Sequence, residues 1–213
     1  MAAPGASVTS TFDVVAVQRR TLRVLTAGQV VGSAALSAAV TVGAFVIQDI
    51  LGQDTPLGGM ATATVTVGTA FMAQLLARVM SVRGRRPGLA LGYGLALVGG
   101  LVAGVGVETS NLVVFMVGLF LFGNGQASNL LSRYTAMDLA EPEHRGAAMS
   151  RILFASTFGA IFGPIVIKPA ELAGERWFGW NLYTGPWIFS GSFFAFSLLN
   201  VWFRLRPDPL EVA

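Results

Sequence analysis

The sequence predicts an all-α membrane protein of six transmembrane helices, and three observations carry that expectation. Hydrophobic residues make up 54% of the 213 positions and charged residues 12%, with a mean hydropathy of +0.66, whereas a soluble domain carries about 25% charged residues. The apolar residues gather into six stretches, each able to supply the roughly 20 residues that cross a hydrocarbon core of about 30 Å. The arginines fall almost entirely on one side of those stretches. A membrane β-barrel is not expected, because the stretches lack the alternating segments of about ten residues that a membrane strand needs. Helices satisfy their own backbone groups in lipid.

Taken in order, helix one is expected from Thr21 to Ile47, an apolar run entered directly after Arg19 and Arg20. Helix two follows the Gly52 to Pro56 turn and runs to Ser81. Helix three, Pro87 to Val107, opens on a proline suited to a first helical turn and carries small residues at every fourth position: Gly88, Gly92, Ala96, Gly100 and Gly104. Such a spine lets a neighbouring backbone approach closely. Helix four runs from Leu112 to Asp138, and a charged link from Ala140 to Arg145 leads into helix five, Gly146 to Ile167. Ala155, Gly159 and Gly163 repeat the small-residue device there, just before Pro164. A longer outer link, Pro169 to Gly185, precedes helix six, Thr184 to Phe203.

With the N-terminus cytoplasmic, the inner set holds Arg19, Arg20, Arg23, Arg78, Arg83, Arg85, Arg86, Arg133, Arg145, Arg151, Arg204 and Arg206, which leaves only Lys168 and Arg176 of the 14 basic residues outside. The outer links hold Asp49, Asp54, Glu108, Glu171 and Glu175. That asymmetry is what the positive-inside rule demands, so a multi-pass protein of the cell membrane with both termini cytoplasmic is expected. Residues 1–20 are then a cytoplasmic tail, 21–203 the bundle, and 204–213 the start of a cytoplasmic loop. Helix one is expected to be an uncleaved anchor, because no basic region followed by a short apolar core and cleavage site precedes it. Basic residues confined to juxtamembrane turns suit anionic lipid and leave no surface for nucleic acid. The absence of cysteine excludes disulfides and thiolate metal sites, and neither a metal nor a cofactor is expected.

Polarity is uneven among the helices. Gln29, Ser33, Ser37 and Thr41 form a stripe on helix one; Thr62, Thr66 and Thr69 lie on helix two; Asn124, Ser128 and Ser132 lie on helix four; Ser150, Ser156 and Thr157 lie on helix five. Helix three is almost without polar groups, and helix six is rich in aromatics but also carries Ser190, Ser192, Ser197 and Asn200, so these two are expected to face lipid. The stripes admit two readings: interhelical bonds worth about 0.6–2 kcal/mol each, or the lining of a cavity. Four striped helices beside two plain ones favour the cavity.

The turn after helix two, Ala77 to Pro87, holds Gly84, Arg85 and Arg86. It resembles the cytoplasmic signature of the major facilitator superfamily, with Ala77, Ser81 and Val82 standing where the family has Gly, Asp and a basic residue. Gly159, Gly163 and Pro164 resemble part of the family's antiporter signature in helix five, Ile167 and Lys168 replacing its following glycine pair. Gly123 and Gly125 resemble a motif of helix four whose buried arginine is Leu119 here. The segment from Arg133 to Arg151 is similar to the family's charged link.

The resemblance implies twelve helices in two six-helix halves, each half built of two inverted three-helix repeats with solute held between the halves, and this chain as the N-terminal half. It implies solute transport, of the drug or metabolite efflux type, by alternating access, secondary active or facilitative, and the Ser/Thr/Asn stripes suggest that the solute is small and neutral or amphipathic. Gln29, Ser33, Ser37, Thr41, Thr62, Thr66, Asn124, Ser128 and Ser132 would line the cavity. Gly84, Arg85, Arg86, Arg133 and Asp138 would form a cytoplasmic gate, and Gly159, Gly163 and Pro164 a hinge in helix five.

The partners expected are the lipid bilayer, a small-molecule substrate, and a missing C-terminal half or a second copy; a truncated product, an expressed half and a half-sized transporter all remain open. No acidic group lies at mid-depth in the six stretches as drawn, so ion coupling would come from the other half, or the protein is a uniporter. An anionic solute would call for a buried cation, which this half is not expected to offer, its arginines lying near the cytoplasmic ends of the stretches. The alternatives are a non-transporting scaffold or subunit and an intramembrane enzyme. The latter is disfavoured because the single histidine, His144, sits in a loop with no catalytic partner.

Overall fold

The computed structural model describes residues 8–52 and 56–212, the side chains of residues 8–13 excepted. The first seven residues of the expected tail and the centre of the expected turn at 53–55 lie outside that range. The helices are α1 (Val8–Leu51), α2 (Gly59–Arg83), α3 (Arg85–Glu108), α4 (Leu112–Thr135), α5 (Arg145–Phe178), α6 (Thr184–Arg204) and a short α7 (Pro209–Val212). Single 3-10 turns at Pro56–Gly58 and Pro142–His144 lead into α2 and α5. Among the described residues there is no strand, and α1 to α6 are each long and apolar enough to cross a membrane.

Two helices run far past their expected bounds. α1 begins at Val8 because no glycine or proline interrupts residues 8–20, and its extension is held to the bundle: Gln18 Nε2 donates to Ala136 C=O at 2.8 Å and Arg20 Nε to Arg204 C=O at 3.0 Å. α5 continues through both Pro164 and Pro169, which lipid-embedded helices tolerate when neighbours satisfy the freed carbonyls. It stops only at Gly179, whose left-handed φ of 67° lets its N–H reach Glu175 C=O at 3.0 Å. Most of the link expected from Pro169 to Gly185 is therefore helix. α4 ends at Thr135, short of the Asp138 expected.

The packing shows an internal repeat. The principal helix pairs are α1 with α5 and α6, α4 with α2 and α3, and α3 with α6; lesser contacts join α1 to α4, α2 to α3, α5 to α6, α1 to α2 and α4 to α5. Exchanging α1, α2 and α3 for α4, α5 and α6 returns the same set. Successive helices reverse direction, so the second triplet is an inverted copy of the first.

Close approach holds the bundle where a hydrophobic drive between helices is missing. A Cβ on Gly99 or Gly106 would meet the α4 backbone at Phe122 or Phe115, and one on Gly100 would meet Gly191 of α6 at 3.0 Å. The expected four-residue spine of α3 serves three neighbours, with Gly88 turned to Met80 of α2, Gly92 to Ser128 of α4, and Gly100 and Gly104 to α6, while Gly99 and Gly106, outside the spine, meet α4. Aromatics fill the centre: the Trp187 ring meets Phe115 and Phe122 edge-on at 5.2 and 5.5 Å, and Phe122 meets Phe194 at 5.0 Å. α6 is two-faced, with Trp187, Ser190, Phe194, Ser197 and Asn200 buried and Phe196, Leu199, Trp202 and Phe203 exposed. α3 exposes Leu91, Val98, Leu101 and Val105, a surface suited to acyl chains.

Candidate functional site

The arginine-rich end of the bundle is organised by the turn between α2 and α3. Gly84 ends α2 with φ 100° and ψ 164°, a backbone that side chains rarely allow. The turn sets Arg85 toward the end of α4, where its Nε donates to Asp138 Oδ2 at 2.8 Å and its Nη2 to Oδ1 at 3.0 Å. This two-pronged pair is largely shielded, its side chains being 23% and 15% exposed. A planar guanidinium fits a carboxylate in this way where an ammonium does not.

The first N–H groups of a helix have no partner within it, and those of α3 are met from across the molecule. Asp208, just after α6 and 6% exposed, accepts from Arg85 N–H at 3.0 Å and Arg86 N–H at 2.8 Å. Its Oδ1 also accepts from Leu210 N–H at 3.0 Å, which folds α7 back onto the turn. The Arg86 guanidinium lies 4.5 Å over the Trp202 ring. The Nε atoms of Arg86 and Arg133 are buried without a hydrogen-bond partner, and no ion pair joins Arg133 to this cluster among the described residues. Glu141 pairs with His144 at 3.4 Å on the exposed α4–α5 link, and with Glu143 they bring ligand atoms within 4.8 Å of one another, all three residues exposed. Neither glutamate pairs with Arg85 or Arg86 among the described residues.

The nine expected cavity residues divide into two groups. Gln29, Asn124, Ser128 and Ser132 are buried within the six helices. Ser132 Oγ donates to Gln29 Oε1 at 2.9 Å, joining α4 to α1, while Ser128 lies against α3, its hydroxyl 3.5 Å from Leu89 C=O. Asn124 donates to Leu121 C=O at 2.6 Å and leaves a buried Oδ1 unpartnered. Ser33, Ser37, Thr41, Thr62 and Thr66 instead reach the surface of the bundle, half-buried or exposed. Thr41 and Thr66 bond back to Ser37 and Thr62 C=O at 2.8 Å, and Ser37 Oγ donates across to Ala160 C=O of α5 at 2.9 Å.

The helix-five residues lie at the α1–α5 seam. A Cβ on Gly159 would strike Val30 C=O, and one on Gly163 would come within 2.6 Å of Ala34 C=O. Pro164 is exposed beside them inside a continuous helix.

A polar core was not foreseen. Tyr93 Oη donates to Asn129 Oδ1 at 2.9 Å, and Asn200 Nδ2 donates to Val24 C=O at 2.8 Å. Together with Gln29 and Ser132 these groups tie α1, α3, α4 and α6 at one depth. A lone tyrosine on a glycine-rich helix gives little signal, although i, i+3 spacing joins Asn129 to Ser132.

α2 presents two uncovered faces of opposite character. Thr62, Ala63, Thr66, Ala70, Gln74, Ala77 and Ser81 are exposed on one, and Val67, Phe71, Leu75 and Val82 on the other. The first is small and polar, the second bulky and apolar.

Comparison with known proteins accords with this architecture. The profile of the Major Facilitator Superfamily matches residues 25–213. The chain is 38% identical to the uncharacterized MFS-type transporter YddS of Bacillus subtilis over 92% of its own length and 44% of that protein. It is 34% identical to the uncharacterized MFS-type transporter YdeG of the same organism, over 92% of the chain and 45% of that protein. A more distant similarity, 24% identity over 86% of the chain and 43% of the other protein, is to the riboflavin transporter RfnT of Brucella anthropi. The chain thus spans rather less than half the length of the curated relatives it matches.

Proposed function

The chain belongs to the major facilitator superfamily, and from that premise we propose that it is one half of a solute transporter. It would work by rocking against a second six-helix half, with its arginine-rich end on the cytoplasmic side of the cell membrane. The family fold, an N-terminal half of two inverted repeats, is in place. The observation that carries the reading is the division of α2. A bilayer would cover Val67, Phe71 and Leu75, but the small side chains of the Thr62 to Ser81 face, where the Thr66 and Ser81 hydroxyls bond back to Thr62 and Arg78 C=O, suit the close approach of another helix. That face fits a partner helix and a polar path.

In this reading Thr41, Thr62 and Thr66, with Ser33 and Ser37, line the path for a small neutral or amphipathic solute. The Arg85–Asp138 pair and the Gly84 turn hold the cytoplasmic gate, with Arg86 and Arg133 beside it, and Pro164 with its two glycines lets α5 flex along α1. Gln29, Ser132, Asn124 and Ser128 stiffen the wall behind. Reconstitution in vesicles tests the whole. Solute flux is expected when the chain is joined to a downstream six-helix half and absent when that half is withheld. Partner binding with no flux in either case would make the chain a scaffold.

A further inference from the structure

Because α5 runs on to Phe178, it carries a cation and a carboxylate that the sequence places beyond the end of helix five. Lys168 is the single lysine of the chain, the rest of its 14 basic residues being arginine. α5 has two uncovered faces: Phe154, Phe158, Ile161, Phe162 and Ile165 make one bulky and apolar. Thr157, Ala160, Pro164 and Lys168, at helical spacings of three and four, make the other. The Ser37 hydroxyl bonded to Ala160 C=O fixes where that second face looks, which is the same open side as Ser37 and Thr41 of α1. Depth follows from the parallel course of α1 and α5. Gly163 packs against Ala34, Ser37 and Ala38, and somewhat more than one turn further along each helix stand Lys168 and Thr41.

The Lys168 ammonium lies 3.3 Å from Glu171 Oε2, with the lysine side chain 69% exposed and the glutamate 10%. An ordinary surface pair at this spacing leaves both ends in water and contributes little. Here the carboxylate is turned inward and depends on its cation, while the cation stands exposed at the edge of the side shared with Ser37 and Thr41. Ionisable groups within a membrane helix are costly unless they serve a function.

We propose that Lys168 selects the charge of the solute: a carboxylate or comparable monoanion pairs with its ammonium in competition with Glu171. This rests on the transport reading above and narrows the amphipathic solute to one with an acidic head.

Benzoate and its neutral counterpart benzamide test it on the chain in lipid nanodiscs. The readout is the rate at which the Lys168 amine is acylated by a water-soluble reagent, followed by peptide mass spectrometry, for which a single lysine is an advantage. Benzoate should slow acylation saturably and benzamide should not. Glu171→Gln, which removes the internal competitor, should lower the half-saturating benzoate concentration several-fold. Saturation transfer from protein to benzoate should vanish in Lys168→Met and persist in Lys168→Arg. Equal effects of benzoate and benzamide on the unaltered chain would overturn the proposal, and so would an unchanged half-saturation in a folded Glu171→Gln variant. Benzoate protection without benzoate flux in the two-half protein would count against the transport reading and leave the anion site standing.

Discussion

The Asp208 carboxylate occupies the space that a side chain at Gly84 would need. With φ at 100°, the glycine is required twice, once by its own backbone and once by the carboxylate that meets the start of α3 from the end of α6. Gly84→Ala is therefore expected to destabilise the bundle by about 1–3 kcal/mol. Asp208→Ala, which removes the acceptor from the Arg85 and Arg86 N–H groups, should cost about 0.5–2 kcal/mol. Chemical denaturation in mixed micelles measures both. Because the alanine at 84 already displaces the carboxylate, the double variant should fall well short of the sum.

The contact of Arg85 with Asp138 is bidentate and only 23% and 15% exposed. A double-mutant cycle over Arg85→Gln and Asp138→Asn should return a coupling of about 1–3 kcal/mol. Arg85→Lys should recover less than half of it, since an ammonium lacks the planar fork that makes two parallel bonds to a carboxylate. In the full two-half protein, flux should fall in each single variant. A coupling near zero would reduce the pair to surface charge.

How much of this was legible varies with the kind of signal. The six helices and the arginine asymmetry follow from run length and from where guanidiniums tolerate lipid, and both are local properties. The approach of Arg85 to Asp138 was readable only through the family resemblance, which sets both residues in one cytoplasmic cluster. Asp208 was not, because a cap supplied from beyond α6 leaves no trace near residue 85. The end of α5 was misplaced because the outer link is drawn from Pro169, although a packed membrane helix absorbs that proline as it does Pro164. With that end went the environment of Lys168 and Glu171. The polar stripes were visible, but their division was not: periodicity marks a face without saying whether a helix of the same bundle covers it. Ser128 lies beside Gly92, while Thr66 is uncovered.

Tyr93 is the one polar side chain on the buried face of α3, and its hydroxyl meets Asn129 at 2.9 Å. Asn129 Nδ2 already lacks a partner, so Tyr93→Phe would leave the amide with none for its oxygen either. A loss of about 0.5–2 kcal/mol is expected, the range of hydrogen bonds between membrane helices. Asn129→Leu in the same background should restore part of it, because an apolar pair leaves nothing unsatisfied. Thermal unfolding in detergent, run on the single and double variants, checks the order.

The two uncovered faces of α2 give the sharpest separation of transport from folding. Thr66 and Val67 are neighbours in sequence and stand about 100° apart on the helix, one among small polar residues and the other, 60% exposed, beside Phe71 on the bulky face. Placing a phenyl ring at each asks which face carries solute. Val67→Phe adds apolar surface where acyl chains already lie, so stability and flux should both stay near those of the parent. Thr66→Phe should leave the isolated six-helix chain as stable as before, since nothing in it covers that face. In the two-half protein it should abolish flux or prevent the halves from closing. Equal flux from the two variants would mean that the small polar face of α2 lies against lipid, and the assignment of the path would then have to move off that helix.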